Sequence, residues 1–214
     1  VTILAQALGL LFATLTERTT KLKKAYRTFY ILPYAVAPAV AGIVFRFLFD
    51  PAVGIIPYWL HDFGIIWNAK THPGQALCLI IFVAAWQQLS YNFLFYLAAL
   101  QSVPKSLIEA AALDGAGPFK RFWTIVFPML SPTTFFLIVM NGLYALFDTF
   151  GIIQVVTQGG PANGTQTLVY KVYKDGFMNL DFSSSATQSV ILMLIVAVLT
   201  ITQFRLIGKK VHYQ

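Results

Sequence analysis

The sequence predicts an all-α, polytopic transmembrane helical bundle, and three observations predict it. The 214 residues are 57% hydrophobic and only 11% charged, with a mean hydropathy of +0.69, whereas a soluble domain carries roughly 25% charged residues. Five apolar stretches come close to the roughly 20 residues that a helix needs to cross a bilayer. They are residues 1–16, 28–49, 76–100, 129–150 and 186–207. The lysines and arginines, finally, gather in alternate connecting segments. A transmembrane barrel would show apolar–polar alternation over strands of about 10 residues, which is absent here. An aromatic content of 15% excludes a disordered chain, and a single cysteine excludes a disulfide scaffold.

The first stretch begins at Val1 with no flanking charge, and we read it as a span that starts before Val1. No basic region precedes it, so it does not read as a signal peptide. The segment that follows holds Arg18, Lys21, Lys23, Lys24 and Arg27. Residues 101–128 hold Lys105, Lys120 and Arg121, and the tail holds Arg205, Lys209 and Lys210. The segments between carry only Lys70, Lys171 and Lys174, with Arg46 near the end of the second span. Basic loops face the cytoplasm, so these three segments and the C-terminus are expected there, with five spans of an expected six in the sequence. The net charge of +7 is thereby a topology signal and not a nucleic-acid one. The Arg18–Arg27 run also suits contact with anionic lipid.

Three spans carry polar or helix-breaking residues. The second contains Leu32-Pro33-Tyr34-Ala35-Val36-Ala37-Pro38, and each proline removes a backbone donor. The third contains Trp86-Gln87-Gln88-Leu89-Ser90-Tyr91-Asn92, a polar girdle in mid-span. The fourth contributes Asn141 and Tyr144, with Asp148 near its end. Polar side chains at membrane depth face protein or a cavity. Tyr34, Gln87, Tyr91, Asn92, Asn141 and Asp148 are therefore the candidates for a translocation pathway. Hydrogen bonding between helices is the competing role for each. Arg46 is either an alternative anion contact or a snorkelling residue paired with Asp50 four positions on. Cys78 reads as packing. His61, His72 and His212 lack metal-ligand spacing and read as solvated. Trp59, Phe63, Ile65, Ile66 and Trp67 predict a helix lying at the membrane surface.

Residues 101–128 are the most informative loop. Leu107, Ile108, Ala111 and Ala112 share one face of a predicted helix over 106–113. Gly115 and Gly117 end it, and Pro118 suits the first turn of a second helix. In that helix Phe119, Phe122, Trp123 and Val126 form one stripe. Glu109-Ala110-Ala111, then Gly115, Ile125 and Pro128, reproduce the spacing of the EAA loop of ABC-importer permeases. The departure is Phe127 where that family has Leu.

The chain thus resembles the permease subunits of binding-protein-dependent ABC importers. Thr157-Gln158-Gly159-Gly160-Pro161 with Thr165, Thr167, Leu168 and Tyr170 is similar to an outer loop of their sugar-type members. More narrowly, Leu32–Val40, Ser90–Phe95, Ser106–Pro118, Ala145–Phe150 and Lys210–Gln214 resemble permeases for sn-glycerol-3-phosphate that pair with a homologous second permease. The resemblance implies the type I importer fold, with residues 1–214 as one permease domain and 101–128 as a coupling loop within it. It implies that Glu109, Ala110, Ala111, Asp114, Gly115, Ala116, Gly117 and Pro118 dock on a cytoplasmic ABC ATPase dimer. ATP and magnesium would sit on that partner, and this chain would bind no cofactor and catalyse nothing. No G-x-x-x-x-G-K-[ST] loop occurs in the sequence. An extracytoplasmic binding protein is the further implied partner, and the bacterial inner membrane the implied location. The alternatives are a maltose-type sugar importer and an ATP-independent secondary transporter. An enzyme acting on lipid phosphates would need a cluster of acid, histidine and nucleophile, and His61-Asp62 is the only adjacent pair.

Overall fold

The computed structural model describes residues 1–18 and 23–206. Lys21, Gly208, Lys209, Lys210, His212 and the rest of the C-terminal segment lie outside the described residues. Among those described, every regular element is helical. Three helices are long and apolar enough to cross a membrane, and a bent pair makes a fourth candidate span.

Helix α1 (Thr2–Arg18) lies parallel to α5 (Pro73–Ser102) along one seam. Ala5, Gly9 and Ala13 recur every four residues on that seam, and both alanines are fully buried. A Cβ added at Gly9 would stand 2.5 Å from Asn92 Cβ. Small side chains at this period let two helix backbones approach closely, which is how helices associate where lipid offers no hydrophobic driving force. The apolar part of α1, Thr2–Glu17, is shorter than the three full spans.

The second predicted span is not one rod. Helix α2 (Lys23–Ile31) passes into a tight 3₁₀ turn, Leu32–Ala35, and α3 (Pro38–Leu48) leaves at 98° to it. The cause is local. Ala37 precedes a proline and is driven to extended backbone, φ −59° and ψ 141°. Pro38 then fits the first turn of α3.

The outer loop also departs from expectation. Helix α4 covers Ile55–Asp62, so of the predicted surface aromatics only Trp59 is helical. The chain reverses at Phe63 and Gly64, whose φ is +75°. Trp67 folds back onto Phe49, ring centroids 5.3 Å apart.

Helix α5 spans about 45 Å at 1.5 Å per residue and passes through two apolar cores. Leu89, Phe93, Tyr96 and Leu97 belong to one, with Ala13, Leu130 and Leu137. Leu79, Ile80, Val83 and Ala84 belong to the other, with Ala41, Ile152, Ile153 and Tyr170. The polar girdle, Gln87 to Asn92, lies where they meet. After α6 (Lys105–Leu113) and α7 (Pro118–Arg121), a π turn at Phe122–Val126 leads through α8 (Phe127–Met129) to α9 (Ser131–Phe147). The π turn splits the predicted stripe: Val126 is buried, whereas Phe119 is 77% and Trp123 49% exposed. Helix α9 runs on, past a turn at Asp148 and Thr149, into α10 (Phe150–Val156), making an apolar stretch of 26 residues. Helix α11 (Leu168–Tyr173) and a second π turn, Lys174–Met178, precede α12 (Phe182–Leu206). The apolar window of α12 has no buried residue. Cys78, expected to pack inside, is exposed.

Candidate translocation cavity and coupling bend

The break between α2 and α3 opens a cavity of about 340 Å³ in the middle of the bundle. Four of the six pathway candidates line it: Tyr34, Gln87, Tyr91 and Asp148. Tyr34 comes from the 3₁₀ turn, Gln87 and Tyr91 from successive turns of α5, and Asp148 from the end of α9. Gln88 and Tyr144 complete the polar lining, with Pro33, Pro38, Met140 and Leu143 among the apolar walls.

Gln87 holds this site together. Its Nε2 donates to the Val36 carbonyl at 2.8 Å, at the point where the backbone has left the helix. Its Oε1 accepts from the Tyr144 hydroxyl at 3.1 Å. One side chain thereby ties α5 and α9 to the break. The Tyr34 and Tyr91 rings stack, centroids 6.4 Å apart, and Tyr34 is 62% exposed. The cavity therefore presents hydroxyls, two amides and one carboxylate, with no lysine or arginine on its wall among the described residues. Such a surface hydrogen-bonds polyols and gives an anion no counter-charge.

Asn92 and Asn141 sit elsewhere. Both are fully buried and neither lines the cavity. Asn92 Nδ2 donates to Asn141 Oδ1 at 3.0 Å, and Asn141 Nδ2 returns the bond at 2.8 Å. Each also donates to the carbonyl four residues back, Gln88 and Leu137, at 2.7 Å. The pair joins α5 to α9 in the interior.

The expected Arg46–Asp50 pair does not form. Arg46 donates to the Val155 carbonyl at 2.8 Å, and Asp50 pairs with Lys70 at 2.7 Å. The Lys70 ammonium and the Ala52 amide hold the Asp50 carboxyl below its usual range. Twenty residues separate these partners, so helical spacing had no way to reveal them.

At the other end of the bundle, α6 has no buried residue. Ile108 and Ala111 are half-covered, but Leu107 is 46% exposed and Ala112 is exposed, so the predicted apolar face is split. The helix ends as its residues dictate. Ala116 N–H donates to the Ala111 carbonyl at 2.9 Å and Gly115 N–H to the Ala112 carbonyl at 3.1 Å. Gly115 has φ +76°, the left-handed position that such a helix end requires and that favours glycine. Gly117 and Pro118 begin α7 at once. The Arg121 guanidinium reaches back to within 3.5 Å of the Ile108 carbonyl. Glu109 and Asp114 are exposed, and neither makes an ion pair among the described residues. Ala110, Gly117 and Pro118 are exposed beside them, with Ala116 half-covered.

Apolar helices long enough to cross a membrane, a cavity among them and a bare, bent helix at the basic end make the architecture of a transport subunit. Residues 6–213 match the family of binding-protein-dependent transport system inner membrane components, and the chain belongs to that family. It is 58% identical over 211 residues to the sn-glycerol-3-phosphate transport system permease protein UgpA of Agrobacterium fabrum, covering 99% of this chain and 72% of that protein. The protein of the same name from Escherichia coli O157:H7 is 52% identical over 214 residues, 100% of this chain and 72% of its own length. The fold matches a bacterial ABC transporter that imports the acidic polysaccharide alginate, with TM-score 0.84 at 18% identity over 97% of this chain and 77% of that one. A second structure, the alginate transporter in complex with its pentasaccharide-bound periplasmic protein, matches with TM-score 0.82 at 21% identity, over 94% and 70%.

Proposed function

We propose that this chain is the permease subunit of an ATP-driven importer for sn-glycerol-3-phosphate, with glycerophosphodiesters as further substrates. The observation that carries the substrate is the identity of more than half the residues with permeases of that specificity along almost the entire chain. In the cavity Tyr34, Tyr91 and Asp148 suit the hydroxyls of the glycerol moiety, while the phosphate meets no cation on that wall. This chain supplies half of the pathway. A homologous second permease supplies the other half, and the uncovered α12 is available to that subunit and to lipid.

The basic end of the bundle, with the C-terminus, faces the cytoplasm, in keeping with the positive-inside rule. There the α6–α7 bend docks on one protomer of an ABC ATPase dimer, which holds the ATP and magnesium. Closure of that dimer moves the bend. The bend is joined through α5, α8 and α9 to both sides of the cavity, so its displacement changes which face of the membrane the cavity opens to. Coupling of this kind needs a two-state element contacted from both sites. An extracytoplasmic binding protein delivers substrate to the opposite face.

The test is uptake by the complete transporter in proteoliposomes. Labelled sn-glycerol-3-phosphate should accumulate only with ATP inside and binding protein outside, and maltose should not compete. Accumulation without nucleotide, or displacement by maltose, would overturn the proposal.

A further inference from the structure

A second cavity, of about 250 Å³, lies at the end of the bundle opposite the basic loops. Its walls bring Arg46 from the last turn of α3 together with Asp50, Lys70 and Gln158. The charges there do not cancel. Lys70 is neutralised by Asp50 at 2.7 Å. Arg46 rests on a carbonyl, that of Val155, which is a dipole and leaves the guanidinium charge intact. The guanidinium has five N–H donors in a planar fork, and this bond engages one nitrogen.

Gln158, exposed at the end of α10, faces the same space. Its φ is 52°, the left-handed position that commonly follows the last turn of a helix. A bond from its N–H to the Ile153 carbonyl at 2.8 Å holds it there. The contrast with the central cavity is electrostatic. That wall carries Asp148 and no cation. The two cavities share α3, which brings Pro38 to one and Arg46 to the other. Eight residues of helix separate them, or about 12 Å.

We propose that the outer cavity is a capture site for a phosphate monoester, in which Arg46 and the Gln158 amide hold the phosphate before the substrate moves inward to the cavity of Tyr34, Gln87 and Asp148. This rests on the reading that the chain imports sn-glycerol-3-phosphate. A guanidinium suits the task because it meets two phosphate oxygens at once. A net positive mouth also raises the local concentration of an anion and gives entry a salt dependence. The phosphate of a lipid headgroup is the competing source of the same chemistry.

The test uses the complete transporter in proteoliposomes of phosphatidylcholine alone, and of phosphatidylcholine with phosphatidylglycerol. Arg46→Gln should raise the KM for sn-glycerol-3-phosphate roughly tenfold in both lipids and flatten its dependence on salt. Arg46→Lys should recover part of the loss. An effect confined to vesicles with phosphatidylglycerol would assign the site to lipid and overturn the proposal. So would a fall in maximal rate and melting temperature with KM unchanged, since Arg46 would then only tie α3 to α10. A second arm needs no transport: ³¹P line broadening of inorganic phosphate by the nucleotide-free complex, compared with Arg46→Gln. Broadening that depends on Arg46 in a transporter that fails to import sn-glycerol-3-phosphate would remove the substrate reading and keep the anion site. Equal broadening by both proteins would overturn the site.

Discussion

Asn92 and Asn141 exchange two hydrogen bonds in the closed interior between α5 and α9, one helical turn beyond the cavity that Gln88 lines. Their amides also bond the Gln88 and Leu137 carbonyls, so no donor is left over for a passing substrate.

A pair that only joins helices should couple in stability and be silent in substrate affinity. Asn92→Leu and Asn141→Leu should each lower the thermal stability of the purified complex. A double-mutant cycle should return a coupling of about 1 kcal/mol. The KM for uptake should stay within roughly twofold of wild type. A large rise in KM in either single variant would place that residue in the pathway.

The Gly9 seam predicts a steric effect. A Cβ there meets Asn92 Cβ at 2.5 Å and the Phe93 backbone nitrogen at 3.0 Å, so neither neighbour yields by rotating a side chain. Gly9→Val should destabilise the complex by about 1–3 kcal/mol and lower its yield after detergent extraction. Ala5→Gly, which adds nothing to the seam, should be far milder.

Gly115 predicts the opposite: lost function in a stable protein. Its φ is +76° and a Cβ there would meet nothing within 4 Å. Gly115→Val should leave the bundle's melting temperature nearly unchanged, because the cost is confined to an exposed bend. It should still uncouple ATP hydrolysis from uptake, because a valine disfavours the left-handed position by about 1–2 kcal/mol and re-aims α7. Full coupling in this variant would remove the docking role of the bend.

Gln87 and Asp148 should separate by effect. Gln87→Leu strips the half-buried Val36 carbonyl and the Tyr144 hydroxyl of a partner, which costs about 1 kcal/mol where water can partly replace it. It should show as a lower melting temperature together with lost uptake. Asp148 is exposed to the cavity. Asp148→Asn should keep transport within about threefold, while Asp148→Leu should lose about tenfold in kcat/KM by removing the acceptor for a hydroxyl.

The Asp50–Lys70 pair makes a pH prediction. The Asp50 pKa is lowered from 3.8 in the folded chain, chiefly by Lys70. A depressed carboxylate contributes stability above its unfolded value and loses it as pH falls through the folded value. The pair should therefore be insensitive between pH 6 and 8 and open only as pH falls below the ordinary aspartate value of 3.8. The infrared carboxylate band that Asp50→Asn removes should titrate there, and Lys70→Gln should move that titration upward. A midpoint at or above 3.8 would contradict the pairing.

The bend after α6 was legible from the sequence because its determinants are local. Gly115 ends one helix, Pro118 starts another, and each acts within a few residues. The break before α3 was legible as two prolines but not as a turn of 98°. The prolines mark where the helix breaks, but the partner that takes up the freed Val36 carbonyl, Gln87, lies 51 residues away and left no local signal. The seam at Ala5, Gly9 and Ala13 carried a readable four-residue period. A run of apolar residues hides it, since small and large side chains count alike toward hydropathy. Lys70 carried no signal, because its partner Asp50 lies across a loop.

By itself, the sequence determined the helical class, the positions of the apolar stretches, the sorting of charge to one end and the bend that presents Glu109. These follow from residue type and from spacing within one or two helical turns. Only the tertiary structure decided that Gln87 and Tyr91 look into a cavity while Asn92 looks into the protein, and that Arg46 meets Val155 and leaves Asp50 to Lys70. Adjacent residues on a helix point about 100° apart, and which direction faces a void depends on the helices that pack around it.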